Sequence, residues 1–368
     1  MVSRATAGKG PPLQVLLDRY MFGTVAGGIV KIAVVVNLKA GDQPRQFTEG
    51  CVWEGRSMGF IVDVFVTGGD EQRCRDLLAR IAQADYDGLV FSNSGNSIGD
   101  DALSYDTLKP VADRGMRIVT FEASPSRGGR IISGINETFQ DDSGLARLSL
   151  DTLISCGSGD RPPKIIRIGT EAGIPFMVRR NRVFDDYLSE GKIEEVGLIN
   201  LRDLENPEAA ARELASVLSR FPPGTVDAVW SPFEECAAGC VEALAAAGRE
   251  DIKLFSIGIS NEGIRLMQRY SRIWLASAAV DLQLAGTVNM RILAARLAGE
   301  IPPATFSFGP QLVMATDLNR DVNMGNISVM VPGWEGGSGL FDDYPWMEEL
   351  KTVESRYLRI APFVQAAE

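Results

Sequence analysis

Lys31-Ile-Ala-Val-Val-Val-Asn37 decides the fold of this chain, because it is a short, β-branched, apolar run that ends in a polar residue. A strand that is apolar on both faces is typical of a parallel sheet covered by helices on both sides. Helical patterning follows from about Gln43 to Met58, and a second β-rich run occupies Ile61–Val66. This strand–helix–strand order predicts an α/β protein.

The alternation of short β-rich runs and longer helical patterns continues along the chain and then repeats. Tyr86-Asp-Gly-Leu-Val-Phe91 corresponds to Val226-Asp-Ala-Val-Trp230, and each is followed by a helical pattern that ends in glycine, Gly115 or Gly248. A strand that opens with a basic residue comes next in both halves, and the offset between the halves is nearly constant. We therefore expect an internal duplication that gives two similar lobes, each a parallel sheet wrapped by helices, with a cleft between them.

The composition fits two ordinary globular domains and argues against some partners. The chain has 368 residues, of which 45% are apolar and 23% charged, so it contains enough apolar material for two cores. Its formal net charge is −11. Because nucleic-acid binding depends on Lys and Arg clusters that contact phosphates, we expect no nucleic-acid partner. The adjacent acids Asp141 and Asp142 need not converge on one site, and we interpret them as helix caps or solvated acids.

Residues typical of catalytic and metal sites are scarce. Histidine is absent, which excludes histidine-based triads and His-bearing zinc sites. Cys236 and Cys240 lie one helical turn apart, so they are either a metal or redox pair or, as we favour, small apolar residues of a core helix. The sequence has no glycine-rich dinucleotide motif after a strand, no P-loop and no nucleophile elbow. We predict a binding protein without cofactor or metal, rather than an enzyme.

Residues 1–30 form a separate segment at the start of the chain. Tyr20–Val30 (YMFGTVAGGIV) is uncharged and mostly apolar, like the centre of a secretion signal, although Asp18 precedes it and glycines interrupt it. The run is too short to span a bilayer. We interpret residues 1–30 as a leader or a disordered segment.

The order and spacing of the elements over Lys31–Pro303 resemble the sugar-type periplasmic binding proteins of bacterial ABC importers, the ribose- and galactose-binding group. The patterns that carry the resemblance are Lys31-Ile-Ala-Val-Val-Val-Asn37, Ala84-Asp-Tyr-Asp-Gly-Leu-Val-Phe-Ser92, Arg180-Asn-Arg-Val-Phe184, Asp227-Ala-Val-Trp230, Glu242-Ala-Leu-Ala-Ala-Ala-Gly248 and the tail motif Val331-Pro-Gly-Trp334. The resemblance implies a type I periplasmic-binding-protein-like fold, in which a hinge of three crossovers joins the lobes. Lobe one then spans residues 31–137 plus 281–310, and lobe two spans 138–280 plus 311–368 with the C-terminal tail.

For function, the resemblance implies an extracytoplasmic solute-binding protein of the periplasm. Such a protein captures a sugar, polyol or related carbohydrate derivative and delivers it to the membrane permease of an ABC transporter. The resemblance also implies a monomer whose lobes close around the ligand by a hinge rotation. The alternatives are a ligand-sensing module for a chemoreceptor or sensor kinase and, behind it, an enzyme.

Ligands of parallel sheets bind beyond the carboxyl ends of the strands, so the residues that follow strands are candidate ligand contacts. In the first lobe, Arg45 and Gln46 lie where relatives carry aromatic side chains that stack on a sugar. Asn93 follows the third strand, where either a simple turn or a ligand contact fits. Glu122 lies where relatives bind hydroxyls through an acid, and a carboxylate can accept two hydroxyl hydrogen bonds. Asp42 either caps the following helix or contacts the ligand.

Three candidates lie in or beside the second lobe. Arg180 occupies a position from which an arginine of the relatives often reaches the ligand. Phe233 replaces a polar contact of the relatives with an aromatic ring, which either stacks on the ligand or belongs to the core. Asp281 matches an acidic position at the start of the last crossover helix, where it caps the helix, binds the ligand, or does both. Gly258 stands where relatives usually have an Asp that binds hydroxyls.

These departures from the sugar-binding pattern leave the identity of the ligand open. A ligand with fewer hydroxyls, or with an anionic or apolar portion, is as compatible with the altered positions as a common sugar is. Arg45 and Arg180 would together favour an anionic group if both face the cleft.

Overall fold

The computed structural model describes residues 30–39, 41–93, 101–157, 159–170, 174–334, 344–348 and 350–351. The predicted leader lies outside these residues, apart from its last residue, Val30. No helix within the described ranges combines the length and the apolar character that a bilayer crossing requires.

The first lobe is a six-stranded parallel sheet with helices on both faces. Its strands are β1 (Lys31–Val36), β2 (Ile61–Val66), β3 (Gly88–Ser92), β4 (Arg117–Phe121), β7 (Asn136–Gln140) and β13 (Thr305–Phe308), in the spatial order β2-β1-β3-β4-β7-β13. Its helices are α1 (Asp42–Ser57), α2 (Glu71–Ile81), α3 (Ala102–Asp113) and α9 (Leu282–Leu297). A small hairpin of β5 (Ser126–Arg127) and β6 (Arg130–Ile131) lies beside α3.

The second lobe has the same construction. Its strands are β8 (Lys164–Gly169), β9 (Glu194–Asn200), β10 (Ala228–Ser231), β11 (Lys253–Ile257), β12 (Trp274–Ala279) and β14 (Gln311–Met314), in the spatial order β9-β8-β10-β11-β12-β14. Its helices are α4 (Asp142–Ser155), α5 (Pro175–Ser189), α6 (Pro207–Leu218), α7 (Glu234–Ala246) and α8 (Asn261–Arg269). A 3₁₀ turn (Ala315–Asp317) and the short helix α10 (Ile327–Met330) follow β14.

The two sheets match strand for strand, from β2 and β9 at one edge to β13 and β14 at the other. The match confirms the predicted fold of two similar α/β lobes. The run Ile32–Val36 in β1 is buried on both faces, which is why it reads as an uninterrupted apolar stretch. Among the described strands of the two sheets, β14 alone is antiparallel to its neighbour.

The chain changes from one sheet to the other at three places: from β7 to α4, from β12 to α9 and from β13 to β14. Strand β7 continues to Gln140, so the first change falls slightly after the predicted residue 137. The C-terminal segment also touches the first lobe, since Lys351 Nζ lies 2.8 Å from Glu54 Oε1 of α1. Because β7 and β12 leave their sheets at the carboxyl ends, the hinge brings the carboxyl ends of both sheets together.

The cysteine pair of α7 lies in the core of the second lobe. Cys236 and Cys240 are both fully buried, and Cys236 Sγ lies 3.2 Å from the Leu204 carbonyl oxygen. Burial raises the pKa of Cys236 to about 12. Both thiols therefore behave as small apolar residues, which agrees with the favoured interpretation of the sequence.

Candidate functional site between the lobes

Polar contacts join the two lobes where the carboxyl ends of their sheets meet. Asp42, at the start of α1, accepts a hydrogen bond through Oδ2 from the backbone N–H of Asn261 in the second lobe, at 2.8 Å. Lys39, just after β1, forms an ion pair with Glu205, which follows β9. These contacts bring residues that follow strands in the two lobes close together, at the edge where parallel sheets bind ligands.

Three strand ends of the first lobe are tied together by a buried hydrogen-bond network. The Asn37 amide nitrogen donates to Asn93 Oδ1 at 3.1 Å, and Thr67 Oγ1 lies 2.5 Å from Asn37 Oδ1. The Asn93 amide nitrogen in turn donates to Ser104 Oγ at 3.1 Å. Both ends of the Asn93 amide therefore have protein partners, which leaves Asn93 only part of its hydrogen-bonding capacity for a ligand.

Glu122 has the least ordinary backbone of the candidate residues. Its φ of 57° lies in the left-handed region, and it is the only non-glycine residue in the described ranges with a positive φ. This conformation costs on the order of 1–3 kcal/mol and is characteristic of ligand sites. Its Oε1 accepts a hydrogen bond from the Gln140 N–H at 2.5 Å. Burial, and then the nearby Asp142 charge, raise its pKa to about 7, so near neutral pH the carboxyl can both donate and accept hydrogen bonds.

Asp142, the first residue of α4, holds two arginines of α5. Its side chain has 0% exposure. Arg179 Nε donates to Oδ2 at 2.8 Å, and Arg180 Nε donates to Oδ1 at 2.9 Å. Arg180 also donates to the Pro232 carbonyl at 2.7 Å. Asp142 is therefore neither solvated nor a cap, whereas its neighbour Asp141 caps α4 by accepting from the Gly144 N–H.

The two aromatic rings beside Arg180 form a stack at the same end of the second lobe. The Arg180 guanidinium lies 4.8 Å from the centre of the Phe176 ring, and the Phe176 and Phe233 rings are stacked with centres 5.7 Å apart. Phe233 is only partly buried. One face of its ring therefore belongs to the stack, while the side chain keeps accessible surface that can pack on the C–H face of a ligand.

Asp281 is bound through both carboxylate oxygens. Its Oδ1 caps α9 by accepting from the Leu284 N–H at 2.8 Å, and its Oδ2 accepts from the Trp334 indole N–H at 3.0 Å. The sequence left open whether Asp281 is a cap, a ligand contact or both. The structure shows the cap, and the hydrogen bonds from Leu284 and Trp334 occupy two of the roughly four acceptor sites of the carboxylate.

Arg45 and Gln46, on the first turns of α1, have different surroundings. Arg45 is half exposed and pairs with Asp42 at 3.2 Å and with Glu49 at 2.9 Å. Gln46 is buried, and its Nε2 has no hydrogen-bond partner among the described residues. An unsatisfied buried donor costs about 1–3 kcal/mol, so Gln46 is the residue of the pair that a ligand acceptor would relieve.

Glu234, the first residue of α7, is a second buried acid at a strand end. Its Oε1 accepts hydrogen bonds from the Ser260 N–H at 2.8 Å and from Ser260 Oγ at 2.6 Å. Its Oε2 has no partner within the described part of the chain. Burial, and then the neighbouring Glu235 carboxylate, raise the pKa of Glu234 to about 8.

We expect Glu234→Gln to flatten the pH dependence of stability. Between the ordinary pKa of 4.5 and the folded value of about 8, the native state holds a proton that the unfolded chain has lost, so the unfolding free energy falls as pH rises through this window. Glutamine keeps an acceptor for Ser260 and removes this titration. Urea unfolding across the window measures the slope, with exposed Glu208→Gln as the control for a lost charge. Equal slopes for Glu234→Gln and the native chain would contradict the assignment.

The structure gathers some of the predicted residues and separates others. Glu122, Arg180 and Phe233 surround Asp142 or its arginine partners, whereas Asn93 and Asp281 are bound elsewhere. The sequence analysis did not select Asn37, although it directly follows β1 and the strand-end rule applies to it. It could not find the role of Asp142, because β7, the strand before it, had not been recognised.

Comparison with known families gives consistent matches over most of the chain. A family model described as a periplasmic binding protein domain matches residues 32–301. The structure is similar to that of a sugar ABC transporter protein from Yersinia enterocolitica, with 31% identity and a TM-score of 0.75 over 95% of this chain and 100% of that one. No curated protein sequence matches the chain.

Two more distant solved structures share the fold. A 5-methylthioribose transporter solute-binding protein from Thermotoga lettingae, with 5-methylthioribose bound, is 22% identical with a TM-score of 0.72 over 88% of this chain and 97% of that one. A Caulobacter myo-inositol-binding protein with myo-inositol bound is 14% identical with a TM-score of 0.65, over 81% and 97% of the two chains. At these identities the likeness concerns the fold alone.

Proposed function

We propose that this protein captures a neutral, hydroxyl-rich ligand between its lobes and delivers it to an ABC transporter. The chain belongs to the periplasmic binding protein family. The members of this family are binding proteins rather than enzymes. The single observation that carries the proposal is Glu122, a carboxyl at a strand end with strained backbone and a pKa raised to about 7. A residue held in this way is suited to bind hydroxyls of a sugar or polyol.

The charges of the cleft favour a neutral ligand over an anionic one. Arg45 is paired with two carboxylates, those of Asp42 and Glu49, whereas Arg179 and Arg180 share the one carboxylate of Asp142. The three arginines therefore face three carboxylates, so the group as a whole carries no net positive charge that would favour an anionic ligand. We assign the ligand contacts to Glu122, Gln46 and the accessible part of Phe233.

The remaining properties of the proposal follow from this role. The protein acts as a monomer outside the cytoplasm, in the periplasm, and binds its ligand without turnover. Its partner is the membrane permease of an ABC importer. Closure of the lobes presents both of them to the permease, as expected for a hinged binding protein.

A thermal-shift screen tests this function. We expect at least one of ribose, allitol, myo-inositol and 5-methylthioribose to raise the melting temperature by roughly 5 °C or more at a hundred times its Kd, because binding to the native state stabilises it by mass action. The compound should be recovered unchanged. Sugar acids should give smaller shifts than the matching neutral sugars.

Glu122→Ala is the diagnostic variant for the screen. It should abolish most of the ligand-induced shift, whereas Asp185→Ala, which removes an exposed carboxylate of the second lobe, should leave the shift intact. A shift of equal size in Glu122→Ala would remove Glu122 from the site. Absence of any shift, together with consumption of one of the compounds, would replace the binding function by an enzymatic one.

A further inference from the structure

The N-terminus of α8 lies at the boundary between the lobes and collects several acceptors. The first backbone N–H groups of a helix have no partner within the helix, so they attract acceptors and negative charge. Ser260 Oγ accepts from the Gly263 N–H at 3.2 Å, and Glu234 accepts from the Ser260 N–H. The N–H of Asn261 is left for a third acceptor, and Asp42 of the other lobe provides it at 2.8 Å.

Asp42 makes this contact across the cleft and does not cap its own helix. The cap position of α1 is Gly41, which has no side chain to accept a hydrogen bond, and Asp42 is the first helical residue. Its second oxygen, Oδ1, receives a hydrogen bond from Arg45 at 3.2 Å, and Glu49 holds Arg45 from the next turn at 2.9 Å. Arg45 thus holds Oδ1, and Oδ2 faces the opposite lobe.

The receiving end is fixed within the second lobe. The side-chain oxygen of Asn261 accepts from the Met324 N–H at 2.9 Å, and Gln268 of the same helix donates to the Asn319 carbonyl at 2.6 Å. The segment after β14 therefore holds α8 in place along its length. The ion pair of Lys39 with Glu205 also joins the lobes, but its side chains are 70% and 44% exposed, so it contributes little.

We propose that Asp42 is an interlobe latch, whose carboxylate binds the N-terminus of α8 in the closed form and so sets the fraction of closed protein without touching the ligand. Arg45 is then a positioning residue for the latch. The proposal rests on the proposed function only in treating closure as the step that captures a ligand. Because apparent affinity scales with the population of the competent form, losing the latch weakens every ligand by the same factor.

The test measures closure in the ligand-free, full-length protein. Cys156, in the second lobe, is the only exposed cysteine of the five, so it can carry one spin label. Ile131→Cys introduces a second labelling site in the first lobe, at a position that is 73% exposed. Distances between the two labels report the separation of the lobes. We expect Asp42→Ala to lower the ratio of closed to open protein roughly tenfold, since a charge-assisted hydrogen bond is lost. Asp42→Asn, which keeps an acceptor without the charge, should lie between.

Asp70→Ala is the matched control. Asp70 also accepts from a helix N-terminus, the Arg73 N–H at 2.9 Å, but both residues belong to the first lobe. It should lower stability without changing the distances between the labels. Unchanged distances in both Asp42 variants, or the same change in Asp70→Ala, would overturn the latch. This readout needs no ligand, so a failed ligand screen and a failed latch remain distinguishable.

Discussion

Asp142→Ala should lower the free energy of unfolding by about 3–5 kcal/mol, the cost of leaving one partner of a buried ion pair uncompensated. Arg180 is 5% exposed and cannot turn its guanidinium to water without leaving the core. Its remaining hydrogen bond, to the Pro232 carbonyl, does not neutralise its charge. Urea unfolding at neutral pH measures the loss, and the Arg180–Phe176–Phe233 stack should loosen with it.

Two comparisons separate this mechanism from a general effect of deleting a carboxylate. Asp185→Ala removes an exposed partner of Arg167 and should cost less than about 1 kcal/mol. The double variant Asp142→Leu with Arg180→Met removes both buried charges and should recover much of the stability lost by the single change, because apolar residues of similar size can replace a buried pair. A double variant as unstable as Asp142→Ala would show that the loss comes from packing rather than from the unpaired charge.

Gly286→Ala should also destabilise the fold, by roughly 3 kcal/mol or more, although alanine favours helices. Helices α1 and α9 cross in contact at two glycines, Gly50 and Gly286. A Cβ on Gly286 would lie closer than 3.0 Å to the Phe47 carbonyl oxygen, and one on Gly50 would lie closer than 3.0 Å to that of Gln283. Both obstacles are backbone atoms, so no side-chain rotation relieves them.

Helix propensity and the backbone clash predict effects of opposite sign on the stability of Gly286→Ala. Helix propensity alone predicts a gain of about 1 kcal/mol for glycine to alanine inside a helix. Gly309→Ala is the control, since a Cβ there meets no described atom within 4 Å and its effect should stay within about 1 kcal/mol. A stabilised Gly286→Ala protein would mean that the helices can separate. Because α1 carries Asp42 and Gln46, the variant should also weaken ligand binding more than Gly309→Ala does.

The elements that the sequence predicted are those whose residues repeat with a clear period. β1, β3 and β10 are short apolar runs between helical patterns; β3 has the expected bounds, and the bounds of β1 and β10 lie within one residue of the expected ones. β7 and α4 were missed. Asn136–Gln140 reads NETFQ, without an apolar run, and α4 opens with Asp-Ser-Gly, a turn-like start. Both elements adjoin the hinge, and β7 is buried through hydrogen-bonding residues instead of apolar ones, since Thr138 Oγ1 donates to the Thr120 carbonyl at 2.9 Å.

The candidate site divides in the same way. The strand-end rule selected Glu122 and Asn93, because the position after a strand is a local property of the chain. It could not show that the Asn93 amide is tied to Asn37, or that Glu122 adopts a left-handed backbone beside Asp142. These depend on which strands become neighbours in the sheet.

The sequence by itself therefore determined the two-lobed α/β fold, because strand and helix periods and their repetition are written locally along the chain. Only the tertiary structure decided which charges are compensated and which residues join the lobes. Asp142 and Arg180 are 38 residues apart and Asp42 and Asn261 are 219 apart. No periodicity spans such separations: the first pair forms when α4 and α5 pack together within the second lobe, and the second forms only when the two sheets dock with their carboxyl ends face to face.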